Sequence, residues 1–408
     1  MSTSAASSPA PAARGKGVFR SLGPSLITAA VVVGPGTITV ASKLGAGLGY
    51  ALLWVILLSV TFMWLFTTMA ARVAILNKES LLSVAARLYG RPLAIAVGAL
   101  AFLVTTAFQL SNYLACATAL TALSGVGEPV WIAVVGAGGL VFLFVRQLYG
   151  FAEKAMSVLV FAMVAAFFVN LVASKPALTE VATGLVPRAW PAEFTGLAMA
   201  MVATTFSVIA ALYQGALARQ KGWREEDLGL SRREAAVGLG LLATISCVIM
   251  ITAGTVLRGV QVDSAAVMAE QFRPVLGPVA VWLFSLGFLA AGFSSVVINP
   301  MVGGGLFSDG LGLGAGVNER WPRILTAVGM VAGMVTAWLT LRAGSAIEGI
   351  VWAQRSTVLA VPLCAAVLIV LANDRRAVGV HRNGWVANVV AGLALAVLIA
   401  LNILRLRG

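Results

Sequence analysis

The sequence predicts an all-α integral membrane protein of eleven transmembrane helices, arranged as five plus five in an inverted repeat with one helix added at the C-terminal end. Three observations carry this. Of the 408 residues, 60% are hydrophobic and 11% charged, and the mean hydropathy is +0.97, a balance outside the range of soluble domains. The apolar residues fall into eleven runs, each close to the roughly 20 residues needed to cross about 30 Å of hydrocarbon. Finally, lysines and arginines collect in alternate connections, the pattern of basic residues retained on the cytoplasmic side.

Residues 1–20 read as a disordered cytoplasmic tail, rich in Ala, Ser and Pro and then basic at Arg14, Lys16 and Arg20. No small-residue cleavage site follows a short apolar core, so the tail lacks the order of a signal peptide. Residues 21–408 form one eleven-helix transmembrane domain. Its spans lie near 21–45, 50–75, 92–122, 129–146, 153–174, 194–218, 233–257, 278–304, 322–342, 348–372 and 385–405. Lys78 to Tyr89 reads as a short amphipathic connector, and Gln261 to Phe272 as another on the opposite surface. Gly303-Gly304-Gly305 reads as a loop or hinge after the eighth helix; without a following Lys and Ser/Thr it is no phosphate-binding loop.

The first span is interrupted by Val33-Gly34-Pro35-Gly36-Thr37. Proline lacks a backbone N–H, and each glycine costs roughly 1 kcal/mol in a helix. In lipid such a break persists only where protein buries it or a water-filled cavity meets it. It is either a simple kink or the unwound midplane backbone with which secondary transporters hold their substrate. An inverted repeat gives the sixth helix a matching role. That helix carries Ala203-Thr204-Thr205-Phe206-Ser207 at mid-depth, with no Pro or Gly break before Gly215.

With the N-terminus inside, that side collects most of the 28 lysines and arginines, among them Arg72, Lys78, Arg219, Arg232, Arg376 and Arg382. The formal net charge of +13 therefore needs no nucleic-acid partner. Cys116, Cys247 and Cys364 sit in separate apolar segments and match no disulfide or metal pattern. The single histidine, His381, falls in a basic loop and reads as surface. No nucleophile–base arrangement occurs, so neither an enzyme nor a cofactor is expected. The partners implied are the lipid bilayer and a small inorganic ion or small solute.

Several stretches together resemble the Nramp (natural resistance-associated macrophage protein) divalent-metal transporters. They are Leu22 to Thr28, Gly34-Pro-Gly-Thr37, Gly45-Ala-Gly-Leu-Gly-Tyr50, Met69-Ala-Ala-Arg72, Gly215-Ala-Leu217 and Leu289-Ala-Ala-Gly-Phe-Ser-Ser295. The resemblance covers nearly all of the chain after the tail. It implies a LeuT-type fold and transport of a divalent cation by alternating access.

The departures fall on the family's chemistry. Its first-helix break reads Asp-Pro-Gly-Asn, with Asp and Asn on the metal; here those positions are Gly34 and Thr37. The sixth-helix Met, whose soft sulfur favours transition metals, falls on Ser207, the neighbouring Pro on Val208 and His on Ile209. A second His becomes Gln214. The third-helix Asp and Glu of the proton route align with Gln109 and Asn112, and the penultimate-helix Gln with Gln354. These replacements keep hydrogen-bonding capacity while removing charge and titration. The chain thus reads as a divergent member of the family.

The resemblance implies a substrate site at Gly34, Thr37, Ser207 and Gln354, with Thr37 and Ser207 as candidate metal ligands. The implied polar network comprises Gln109, Asn112, Thr204, Thr205, Gln214 and Arg355. Without a carboxylate, a naked transition metal is costly to bury; a hydrated hard ion such as Mg²⁺ is more compatible with hydroxyls and carbonyls. A second reading stays open, in which the site takes a small neutral or anionic organic solute and Arg355 faces the cavity. A third is a transport-inactive sensor or scaffold. Lys43, about two turns beyond the break, either faces the pathway or snorkels to the surface. Gln109, Asn112 and Gln214 either line a pathway or serve as interhelical hydrogen bonds. Thr204, Thr205 and Ser207 either meet substrate or bond back to their own helix.

Overall fold

The computed structural model describes residues 33–316 and 319–407; the tail and the first half of the first span lie outside them. In chain order the principal helices are α1 (Pro35–Leu48), α2 (Leu53–Asn77), α3 (Leu81–Tyr89), α4 (Arg91–Ser124), α5 (Glu128–Phe144), α6 (Arg146–Ala173) and α7 (Thr195–Thr205). They continue with α8 (Val208–Gln220), α9 (Leu228–Val256), α10 (Ala280–Leu311), α11 (Arg320–Ala343), α12 (Ala346–Thr357), α13 (Val361–Asn373) and α14 (Trp385–Arg407). Ten of the eleven apolar runs coincide with a helix or a helix pair, and the described part of the first leads into α1. By length and hydropathy, eight spans qualify among the described residues, or nine if the pair Ala346–Leu359 and Val361–Asn373, bent by 44°, crosses as one. The remaining two runs are the first, described only from Val33, and α5, with 17 residues.

The central pair is α4 against α10, antiparallel along their whole length. Small residues permit the approach. A Cβ on Gly292 would come 2.7 Å from Cys116 Sγ, and one on Gly303 only 1.8 Å from Thr105 Oγ1. The Cys116 thiol also donates to Leu289 O across the same seam, at 3.7 Å. In hydrocarbon, where apolar surface gains little by leaving lipid, such close backbone packing is what holds helices together. This corrects the reading of Gly303-Gly304-Gly305 as a loop or hinge. All three residues are helical, and Gly304 faces the Thr326 backbone on α11.

α3 lies at the end of the bundle that carries Lys78, Arg87, Arg91, Arg219 and Arg376, here called the basic face. Its start is fixed by Ser80, whose Oγ accepts from Ser83 N at 3.1 Å, an N-cap that satisfies one orphan amide. At the opposite face the chain from Val262 to Leu276 folds inward over the bundle. Phe272 is fully buried there, 4.5 Å from the Phe167 ring and 5.8 Å from Phe284.

Three of the apolar runs contain non-helical backbone at mid-depth. α1 starts at Pro35 behind an extended Gly34 (φ −72°, ψ 161°), with proline at the helix position that has no N–H to lose. The sixth span is also broken, between α7 and α8, at Phe206 and Ser207 (ψ 74° and 95°). The sequence shows no Pro or Gly at that point. Gly215, the next glycine along, lies inside α8 against Ala70 and Ala74. The third break separates α12 from α13. It places Gln354 and Arg355 at the end of a half-helix rather than near the start of a continuous one.

Candidate substrate site at the helix breaks

The breaks of the first and sixth spans meet. Thr37 Oγ1 and Thr204 Oγ1 are hydrogen-bonded at 2.8 Å, and the Thr37 side chain is buried. Behind Thr37 the Gly34 carbonyl accepts from the amides of Thr37 (3.1 Å) and Ile38 (3.3 Å), closing the first turn of α1. On the facing side α7 ends at Thr205, so the last carbonyls of that half-helix lack intrahelical partners and its negative dipole end points at the break. Phe206 anchors the interruption by packing on Phe62 (5.7 Å) and edge-on against Phe66 (5.0 Å). Ser207 then starts α8, its Oγ accepting from Ala210 N at 3.4 Å. Its hydroxyl is an N-cap, whereas Thr204 reaches across to the other broken helix.

Gln354 completes the group from α12. Its Nε2 donates to Ser111 Oγ on α4 at 3.2 Å, while its buried Oε1 has no partner. The side chain lies directly on Gly36, where a Cβ would come 2.0 Å from Nε2. Gly36 thus makes room for Gln354 beside the break. Two further buried hydroxyls close to the breaks in the chain are without partners, Thr39 Oγ1 and Thr205 Oγ1. Ser111 belongs to this polar group through Gln354, and nothing in the sequence marks it out, since a single hydroxyl within an apolar run carries no pattern.

The other expected residues lie elsewhere. Gln109 is fully buried, donating from Nε2 to Val296 O on α10 (2.8 Å) and accepting at Oε1 from Asn112 Nδ2 (3.3 Å). This pair joins α4 to α10. Gln214 is half-buried about two turns into α8. Arg355 is exposed, and its guanidinium lies 3.3 Å from the Cβ position of Gly196, about 12 Å along α7 from Thr204 at 1.5 Å per residue. Lys43 donates to Val262 O at 3.0 Å, in the segment closing the face opposite the basic one.

Below the breaks a cavity of about 710 Å³ extends from the basic face, lined by α2, α8 and the end of α10. Its innermost residue on α8, Leu212, lies about 7.5 Å along the helix from Ser207. Asp309 lines it, buried and accepting at Oδ1 from Ser80 Oγ (2.7 Å) and Ser83 Oγ (2.9 Å). Neutral hydroxyls, one amide oxygen and helix-end carbonyls thus surround the break. Among the described residues no three His, Cys, Asp or Glu side chains cluster as metal ligands.

This arrangement of two broken helices agrees with the comparisons to known proteins. The family described as "Natural resistance-associated macrophage protein-like", Nramp, matches residues 25–407. The chain belongs to the Nramp family. A relative from Deinococcus radiodurans, named divalent metal cation transporter MntH, is 29% identical over 69% of this chain and 67% of its own. The Bacillus subtilis protein of the same name is 24% identical over 95% and 92%. Among solved structures, an Eremococcus coleocola manganese transporter superposes with a TM-score of 0.75 at 20% identity, over 96% of this chain and 87% of that one. Mhp1, a nucleobase-cation-symport-1 family transporter, shares the fold more distantly, with a TM-score of 0.57 at 18% identity. The fold is thus of the LeuT type, built from apolar helices that make a multi-pass membrane protein.

Proposed function

We propose that this chain is a secondary transporter that moves a divalent metal cation by alternating access, with the ion keeping part of its water shell at the helix breaks. The observation that carries this is the meeting of the breaks at Thr37, Thr204 and Gln354, where a buried amide oxygen stands without a partner. Hard cations such as Mg²⁺ dehydrate reluctantly and accept hydroxyl, carbonyl and water oxygens. Soft-metal selectivity would call for a thioether or imidazole, and neither stands at this point. Relatives named for divalent metal cations and a solved manganese transporter support the substrate class. The charge bias supports a cytoplasmic N-terminus in a bacterial inner membrane, with the basic face inside.

The same reading gives transport without obligatory proton movement. Gln109 and Asn112 bind each other and Val296 O, and neither side chain titrates. An organic anion would need a cation at the breaks, and Arg355 lies against Gly196 instead.

The test is uptake into proteoliposomes with a pH dye inside. The expected result is saturable Mg²⁺ entry without acidification, lowered at least tenfold in Thr37→Val. Acidification in proportion to metal entry overturns the uncoupled reading. Saturation by micromolar Mn²⁺ with no response to Mg²⁺ overturns the hard-ion reading.

A further inference from the structure

A second cavity, of about 460 Å³, opens on the basic face away from the helix breaks. It lies between the end of α2, the start of α9 and the loop joining α13 to α14, and is lined by Arg72, Arg232, Arg382, His381 and Glu225. The transport reading uses none of these residues.

The charge balance within it is lopsided. Three guanidinium groups face one carboxylate, and Glu225 is already engaged, 2.7 Å from His381 Nε2. Arg72 has no carboxylate partner among the described residues. One arm, Nη2, donates to Asn383 Oδ1, which fixes the plane of the guanidinium, while the buried Nε finds no acceptor. Asn383 is itself held by Asn388 Oδ1 at 3.1 Å. Arg72 and Arg232 repel each other electrostatically. A protein that orients one arginine, leaves its inner N–H unsatisfied and sets two more beside it has built a receptor for an anion. Guanidinium forks pair bidentately with phosphate oxygens, as they do with carboxylates.

The surroundings indicate where that phosphate comes from. Val380, on the rim, is 92% exposed, and Trp385 at the start of α14 is 78% exposed. Val386, Val389 and Leu393 continue an exposed apolar stripe along α14. An exposed Trp at the head of an apolar stripe marks the level of the lipid headgroups. Basic pockets between helices at that level suit anionic headgroups, with acyl chains lying along the adjacent helix.

We propose that this cavity binds the phosphate of an anionic phospholipid, with Arg72, Arg232 and Arg382 on the phosphate oxygens and the acyl chains along α14. The site ties α2, α9 and the α13–α14 loop together at the basic face. It does not depend on which ion the protein carries.

Thermal unfolding of the delipidated full-length protein in detergent tests this, with phosphatidylglycerol, phosphatidylcholine or sodium phosphate added. A ligand selective for the folded state raises the midpoint with concentration. Phosphatidylglycerol is expected to raise it by several degrees and phosphatidylcholine not at all. Arg72→Gln/Arg232→Gln is expected to lose that shift, and Arg382→Gln, on an exposed loop where folding is not at stake, to weaken half-saturation at least threefold. Native mass spectrometry should show phosphatidylglycerol retained by the wild type and depleted in Arg382→Gln. Equal shifts with both lipids, or unchanged retention in Arg382→Gln, overturn the site. A full shift from sodium phosphate alone overturns the lipid as its source.

Discussion

The two ends of the bundle are built in opposite ways. At the face opposite the basic one, Gln271 is fully buried and joins three helices: its Nε2 donates to Ser42 Oγ on α1 (2.9 Å), its Oε1 accepts from Thr252 Oγ1 on α9 (3.4 Å), and its carbonyl accepts from Asn170 Nδ2 on α6 (2.5 Å). Phe272 seals the apolar side of the same segment. At the basic face α10 instead stands apart from the packed pair α2 and α8 around the 710 Å³ cavity, where the buried polar group is a carboxylate held by hydroxyls. One end is closed by neutral hydrogen bonds that must all break together, and the other is open and charged. The bundle is thus open at the basic face and closed at the other, with Gln271 at the centre of the closure.

The largest expected effect follows from breaking that closure. Gln271→Leu leaves the Ser42 and Thr252 hydroxyls without this partner. An unmade buried hydrogen bond costs about 1–3 kcal/mol, which moves a two-state equilibrium by about 5- to 150-fold. In a background lacking the three native cysteines, Ser42→Cys should react with a membrane-impermeant thiol reagent at least fivefold faster once Gln271→Leu is added. An unchanged rate would show that the closure rests on Phe272 packing instead.

A smaller effect is expected midway between the two ends. Gly36→Ala drives Gln354 off the break and from Ser111, while the half-helices themselves remain. Uptake should fall about tenfold with little change in thermal midpoint, and combining it with Gln354→Ala should cost no more than either alone. Additive losses would separate Gly36 from Gln354.

The smallest expected effect is at the basic face, outside the spans. The Arg376 guanidinium, aided by the Tyr89 hydroxyl at 2.5 Å and the Arg376 amide, holds the Asp374 carboxyl below the usual carboxylate range. A depressed carboxylate stabilises fully above its unfolded pKa of about 3.9 and loses that contribution as pH falls through the lower folded value. The difference in midpoint between wild type and Asp374→Asn should therefore stay constant from pH 8 to pH 5. A difference that shrinks across that window would place the titration elsewhere.

The spans, both connectors and the first break were legible because each leaves a local trace, an apolar run or a Pro between glycines. The sixth break leaves none. It is made by a Phe206 ring that finds its slot between Phe62 and Phe66 and by a serine cap, and only tertiary packing brings those parts together. Gly303-Gly304-Gly305 misled for the converse reason. Glycine reads as punctuation in a soluble chain, whereas between membrane helices it is what allows α10 to touch α4 and α11. Gln109 and Asn112 stood out as polar, but polarity alone did not show that they bond to each other and to Val296 O across the seam with α10. Ser111 and Gln271 were unremarked because a single polar residue has no period.

The His381–Glu225 contact at the rim of the second cavity has a practical consequence. His381 is the only imidazole in the whole chain. One ring in a selectively ¹⁵N-histidine-labelled sample gives one set of resonances, with no assignment to make and no mutation needed. Its ring resonances therefore report on the carboxylate at 2.7 Å and on whatever anion settles among the three arginines. The chain carries a native spectroscopic probe beside that cavity, about which its transport assays would otherwise be silent.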